Sequence, residues 1–305
     1  LNYLLTMAHG AEHYRQEAVY LLLSWLRWRG AAPCTVLVAT DRPESFLQVI
    51  GERPDVVYLA LAPQQLLDWR GGPEGYVHRI KPQLIAHAAR TVGAGAHDGL
   101  MFVDSDTAFI ADPDPLFQAI AEGQVVLHAR EGSIEGNRRH SRSQGRLFDM
   151  ARRQRFDFAG RQQQLLAPDL PLWNSGAVGL RGDEVAPLMA LTLALTDQIC
   201  AAMPLATAEQ VALSAVLAAQ GRQIVAAESR LLHYHVFKEF RADIARFLER
   251  HADTGPQRLV ELSAGIDPQQ RIQPKLAFNR LPKWRRQLQK HLGRGWQALP
   301  YPWDR

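Results

Sequence analysis

The sequence predicts an α/β domain whose central sheet is mostly parallel. Three observations carry that prediction. Short apolar runs of strand length alternate with helical patterns along most of the 305 residues, the order that builds parallel sheets with helices on their faces. One run, GLMFVDSDTAFI at 99–110, ends in two aspartates, and open α/β sheets place ligand sites outside the carboxyl ends of their strands. The 47% hydrophobic content is ample for a substantial core at this length.

The first run, Asn2 to Met7, reads as a strand, and His9-Gly10 turns the chain into a helical pattern from Glu12 to Trp28. Thr35 to Ala39 and Val56 to Leu61 read as the next strands, the former ending at Thr40-Asp41. Ile80, Leu84, Ala88 and Val92 recur at helical spacing until Gly93 and Gly95 stop the pattern. Leu100 to Val103 is then an unbroken apolar strand, followed by a short helix from Pro115 to Glu122 and a strand from Val125 to His128. Residues 130–171 lack clear periodicity and are rich in Arg and Gln, so they read as an irregular insertion beside the site, mobile or partly helical. Trp173 to Leu180, WNSGAVGL, reads as a strand whose glycines admit another backbone. Helical patterns at 185–203 and 208–220, a strand at 223–227 and the segment LLHYHVFK at 231–238 follow. The expected division is a catalytic domain over 1–268 and a basic amphipathic tail over 269–305.

Charge is segregated along the chain. The overall +4 comprises a tail from Gln269 to Arg305 with nine Lys and Arg against one Asp, net +8, and a remainder at −4. Basic character confined to a tail argues against a nucleic-acid-binding domain. The two cysteines, Cys34 and Cys200, stand apart in apolar surroundings and read as buried thiols in a reducing compartment. No uninterrupted apolar stretch has the length of a membrane span, Ala18 to Trp28 being broken by Ser24 and Arg27, and no signal peptide is apparent. The expected location is cytoplasmic, with peripheral attachment to the inner face of the membrane as the variant.

Asp104 and Asp106 carry the chemistry. In an extended strand alternate side chains share a face, so the two carboxylates can meet one divalent cation. The spacing alone is weak, since it arises about once by chance in a chain of this size. Asp112 and Asp114 repeat it, but Pro113 and Pro115 put them in a turn opening a helix. A metal held by the first pair would neutralise a diphosphate as it departs.

The ordered set GLMFVDSD, WNSGAVGL, TAEQVALS and LLHYHVFK resembles nucleotide-sugar glycosyltransferases of the GT-A fold, especially glycosyltransferase family 8, which includes glycogenin and bacterial lipopolysaccharide galactosyltransferases. The resemblance spans roughly residues 2–240. It implies that Asp104, Asp106 and His233 bind Mn²⁺ or Mg²⁺, that Ser105 lies near the ribose, and that Lys238 reaches the diphosphate. The final motif departs from the family's, with Lys five rather than six positions after the histidine and no glycine. His235 is therefore an alternative to His233.

The same resemblance implies catalytic positions for Asn174, Glu209 and Gln210, with Ser175 beside the donor and Arg79 and Lys81 approaching the diphosphate. Thr6 and His9, at the carboxyl end of the first strand, occupy the usual nucleotide position. The implied reaction moves a hexose from a UDP-type donor to a glycan or glycolipid acceptor, with retention. The departing phosphate then serves as base, whereas inversion would call on Glu209 or Asp183. Two other readings compete: a non-catalytic binding or assembly subunit of the same fold at a membrane, and a phosphohydrolase of the haloacid dehalogenase type, which also ends a strand in Asp-x-Asp.

In the tail, Trp284, Leu288 and Leu292 recur at i, i+4 and i+8, opposite Arg285, Arg286 and Lys290. Such a helix within 281–303 suits an anionic membrane surface, with Trp296 and Trp303 as interfacial anchors. It equally suits packing on the acidic body through those tryptophans.

Overall fold

The seven apolar runs read as sheet strands all join one sheet in the computed structural model, which describes residues 1–72 and 74–304. Arg305, counted in the basic tail, lies outside the described residues. The first half runs β1 (Asn2–Ala8), α1 (Glu12–Trp28), β2 (Cys34–Thr40), α2 (Glu44–Ile50), β3 (Val56–Ala60), α3 (Pro63–Arg70), α4 (Ile80–Thr91), β4 (Gly99–Val103), β5 (Thr107–Phe109) and α5 (Asp114–Ala121). It continues through β6 (Val125–Ser133), α6 (Ile134–Asn137), α7 (Arg142–Arg153), β7 (Arg155–Phe158), β8 (Arg161–Leu165), β9 (Pro171–Arg181), α8 (Gly182–Ala202) and α9 (Ala208–Ala219). Then come β10 (Ile224–Ala226), β11 (Leu231–His233), α10 (Phe240–Arg250), α11 (Pro256–Leu262), α12 (Pro268–Arg271), α13 (Gln273–Arg280) and α14 (Lys283–His291).

The sheet order is β10-β6-β9-β4-β1-β2-β3. β3, β2, β1 and β4 are parallel, β10 is parallel to β6, and β9 alone runs against its neighbours β4 and β6. The fold class is thus the one read from the sequence: α/β, with a mostly parallel sheet flanked by helices. Burial on both faces explains the unbroken apolar strands. Leu5, Leu100 and Phe102 belong to a core layer shared with α4, α8 and α9, while Leu4, Met101 and Val103 belong to one shared with α1, α5 and α10.

Several readings are corrected. The 130–171 segment is partly helical, as one of its two readings had it, but not irregular: it forms α6, α7 and the antiparallel β7–β8 hairpin. Leu147 and Ala151 on α7, and Phe156 on β7, are fully buried. Arginines crowd the exposed positions between these few apolar anchors, which hides the helical period. An apolar stretch long enough to cross a membrane does exist by length and composition: α8, with a mean hydropathy of 1.5. It is a helix of this domain, burying Val185, Leu188, Leu195 and Ile199 and packing beside α4 and α9.

Of the two readings of Trp296 and Trp303, packing on the body is the one the structure has. Trp303 packs on Phe247 and His251, and Trp296 on Phe237. The glycine at 265 leaves the room that the Trp303 ring occupies, since a Cβ there would lie 2.7 Å from the ring.

Candidate functional site

The two aspartates converge through a turn rather than along an extended strand. β4 ends at Val103, residues 105 and 106 turn, and β5 begins at Thr107. Thr107 Oγ1 closes that turn by donating to the Asp104 carbonyl at 2.7 Å, while Asp104 N–H donates to Gly176 O at 2.9 Å. β5 then pairs antiparallel with β11, setting His233 opposite Thr107, and Tyr234 N–H donates to Asp106 O at 3.0 Å. Chain pairing therefore carries a histidine more than a hundred positions distant to the aspartate turn.

His233 Nε2 lies 3.1 Å from Asp106 Oδ1 and 3.9 Å from Asp104 Oδ2. Ligand atoms of Asp104, Asp106 and His233 all fall within 4.8 Å of one another. His235 lines the same cavity, its ring centroid 4.6 Å from that of His233, but stands outside this cluster. The strand ends at His233 and the chain turns, so the two histidines do not share a strand face.

The orientation of His233 is set by a chain of obligate donors and acceptors. Gly176 N–H donates to Asn174 Oδ1 at 2.8 Å, and Asn174 Nδ2 donates to the Glu131 carboxylate at 2.8 Å. Both partners force the amide to present its oxygen to His233 Nδ1, 3.0 Å away. Nδ1 must then donate, which leaves Nε2 as the electron-pair donor facing Asp106 when the ring is neutral. Gly176 is required here because a Cβ would strike the His233 ring, with Cε1 at 2.7 Å. Two carboxylates plus an imidazole held in this tautomer make a donor set that fits Mn²⁺ or Mg²⁺.

Cations flank the cluster. Lys81 is buried, its Nζ 3.0 Å from Asp104 and bonded to the Ser175 carbonyl and hydroxyl at 3.0 and 3.1 Å. Ser175 Oγ in turn donates to Glu209 Oε2 at 3.0 Å. Lys238 Nζ lies 2.5 Å from Asp106 Oδ2. Burial works to raise the Asp106 pKa, but the hydrogen bond and charge of His233 and the Lys238 ammonium outweigh it and hold the carboxyl below its usual range. Burial works against the charged form of Lys81, yet Asp104 and Glu209 raise its pKa and keep it cationic. Burial raises the Glu209 pKa against the pull of Lys81 and Ser175.

A cavity of about 520 Å³ opens over these groups, within the size range of small-molecule sites. Of the residues singled out in the sequence, His9, Lys81, Asp104, Ser105, Asp106, Asn174, Glu209, Gln210, His233 and His235 line it. Ser175 is fully buried beneath the lining, joined to Lys81 and Glu209. Lys238 reaches the site through Asp106.

Three positions fall elsewhere. Thr6 is fully buried in β1, its Oγ1 without a hydrogen-bond partner among the described residues, and it does not line the cavity. Arg79 turns away to Asp197 on α8 at 2.6 Å and to Trp69 O at 3.1 Å. Asp183 opens α8 and pairs with Arg181 at 3.5 Å, apart from the cavity lining. Sequence reasoning missed Glu131, Tyr14, His78 and Thr207, all of which line the cavity. The rule for strand ends, applied to the run from Val125, would have flagged Glu131.

No family model matches the chain, and no curated protein matches it. Among solved structures, the chain is similar to mouse xyloside xylosyltransferase 1 in its apo form, at 15% identity and a TM-score of 0.48, over 74% of this chain and 85% of that one.

Proposed function

We propose that this protein is a metal-dependent glycosyltransferase of the GT-A, family 8 kind, transferring a hexose from a UDP-type donor to a glycan hydroxyl with retention. The observation that carries the reading is the Asp104–Asp106–His233 cluster, set between two lysines in one cavity at the carboxyl end of β4. A bound Mn²⁺ or Mg²⁺ would supply the charge that stabilises a departing diphosphate. Lys238, at the edge of the cluster and about half exposed, is free to exchange Asp106 for a phosphate oxygen. Lys81, held between Asp104 and Ser175, keeps the Asp104 carboxylate oriented and adds fixed positive charge.

His9 and Tyr14 line the cavity beside the carboxyl end of β1, the position that suits a nucleobase. Asn174, Glu131 and Gln210 line the cavity together with the metal cluster and suit the hydroxyls of the sugar. In a retaining reaction the departing phosphate takes the acceptor proton, and no protein carboxylate has to act as base.

Replacing Asp104 with alanine should abolish UDP release from a competent sugar donor while leaving the circular-dichroism spectrum unchanged. Thermal melts provide the companion measurement: UDP should raise the Tm when Mn²⁺ is present and much less without it. Full activity in Asp104→Ala would remove the metal from the reading. Indifference to every nucleotide sugar, with or without Mn²⁺, would favour a non-catalytic subunit.

A further inference from the structure

Helix α14 is mounted with its polar side inward. Trp284, Leu292 and Leu288 are 61%, 59% and 52% exposed, and after Leu1 they are the most exposed large apolar side chains among the described residues. At spacings of four they form one stripe. The half-buried positions of the helix are Arg286 and Gln289, and Arg286 Nε is buried without a partner among the described residues. A helix that serves only to close a core does the reverse, burying its apolar stripe and exposing its charges.

The helix is also held at both ends. Upstream, Phe278 on α13 is buried, and Lys275 binds Glu239 at 2.6 Å and lies over the Trp296 ring at 5.3 Å. Downstream, Trp296 packs on Phe237, the residue before Lys238. The apolar stripe is thus presented on a segment anchored to the body on both sides.

Charge decides what the stripe meets. From Pro268 to Trp303 there are eight Lys and Arg and no Asp or Glu. Arg285 and His291 flank the stripe, and Lys283 and Lys290 stand further round the helix, all exposed. An exposed apolar stripe on a helix with cationic and no acidic side chains matches the boundary between acyl chains and anionic headgroups.

We propose that α14 docks on an anionic lipid bilayer, with Trp284, Leu288 and Leu292 inserted among the acyl chains. On the glycosyltransferase reading, this docking would hold the enzyme at a surface that carries a lipid-borne acceptor. The docking itself is tested without catalysis, so its failure and the failure of that reading are distinguishable.

The full chain is sedimented with sucrose-loaded vesicles of phosphatidylcholine alone or mixed with phosphatidylglycerol. Recovery with the phosphatidylglycerol vesicles is expected, reduced by about tenfold or more in the Trp284→Ser, Leu288→Ser, Leu292→Ser triple variant. Unchanged thermal unfolding of that variant is expected, since the three side chains support no core. The Lys283→Gln, Lys290→Gln variant should lower recovery selectively at low ionic strength, where charge is least screened. Equal recovery from both vesicle types, or recovery unaffected by the triple variant, overturns the proposal. So does self-association that the triple variant abolishes, which would assign the stripe to a second copy of the chain.

Discussion

Asn174 illustrates how much of the site depends on a residue outside the Asp104–Asp106–His233 cluster that could hold a metal. Its amide is locked by Gly176 N–H on one side and by Glu131 on the other, and the oxygen so oriented fixes the proton on His233 Nδ1. Groups in this position commonly govern metal affinity by about 10- to 100-fold. Asn174→Ala should therefore weaken Mn²⁺ binding by about that factor, measured by electron paramagnetic resonance of free Mn²⁺ in the absence of nucleotide. Unaltered Mn²⁺ affinity would show that His233 needs no such support. Some of this was legible in the sequence. Asp104 and Asp106 stand out because an apolar strand leads to them, and Asn174 because Asn-Ser-Gly resembles a motif of the glycosyltransferase family. The tautomer lock was not legible, because it joins residues from β6, β9 and β11 whose proximity exists only once the sheet is paired.

At the scale of elements, α1 and α10 are tied by a buried ion pair. Glu17 is 1% exposed and accepts from Arg241 Nε at 2.8 Å and Nη2 at 3.2 Å. α10 starts just after Lys238, so this pair helps to seat the end of the 231–238 segment against α1. Removing Arg241 leaves a carboxylate uncompensated in the core, a change that costs about 3 kcal/mol or more. Burial raises the Glu17 pKa even with Arg241 in place. A raised folded-state pKa contributes stability that is present below the unfolded value and is lost as pH rises through the folded one. Arg241→Met should accordingly cost more stability at about pH 8 than at about pH 5, as measured by urea unfolding at both. Equal losses would mean that Glu17 stays solvated. Neither α10 nor the small helices α11 to α13 was read from the sequence. α10 buries Phe240, Ile244 and Phe247 at spacings of four and three, a helical signal masked by the aromatic run at 234–240. The inner strands β1, β2 and β4 were legible because burial on both faces makes them continuously apolar.

Across the whole molecule, the last ten described residues act as a strap that returns the chain to its body. Arg271 binds the buried Asp243 at 2.5 Å and donates to the carbonyls of Leu299 and Pro300 at 3.0 and 3.3 Å. Tyr301 is buried beneath Arg246, which also grips Asp304 at 2.7 Å. Trp303 fills the space left at Gly265 and packs on Phe247. Tail and body are consequently one packing unit at this point, although their net charges differ in sign. Removing the Trp303 ring should cost about 2 kcal/mol, less than a fully buried aromatic because Trp303 is partly exposed. The loss should reach the site as well, since the strap also carries Trp296 against Phe237, next to Lys238. Trp303→Ala should thus lower the urea midpoint, and Trp296→Ala should weaken UDP binding in the presence of Mn²⁺ while Mn²⁺ binding alone is retained. Calorimetric titration of UDP and of Mn²⁺ separately tests this division. Equal weakening of both ligands would mean that the strap supports the metal cluster itself rather than the position of Lys238.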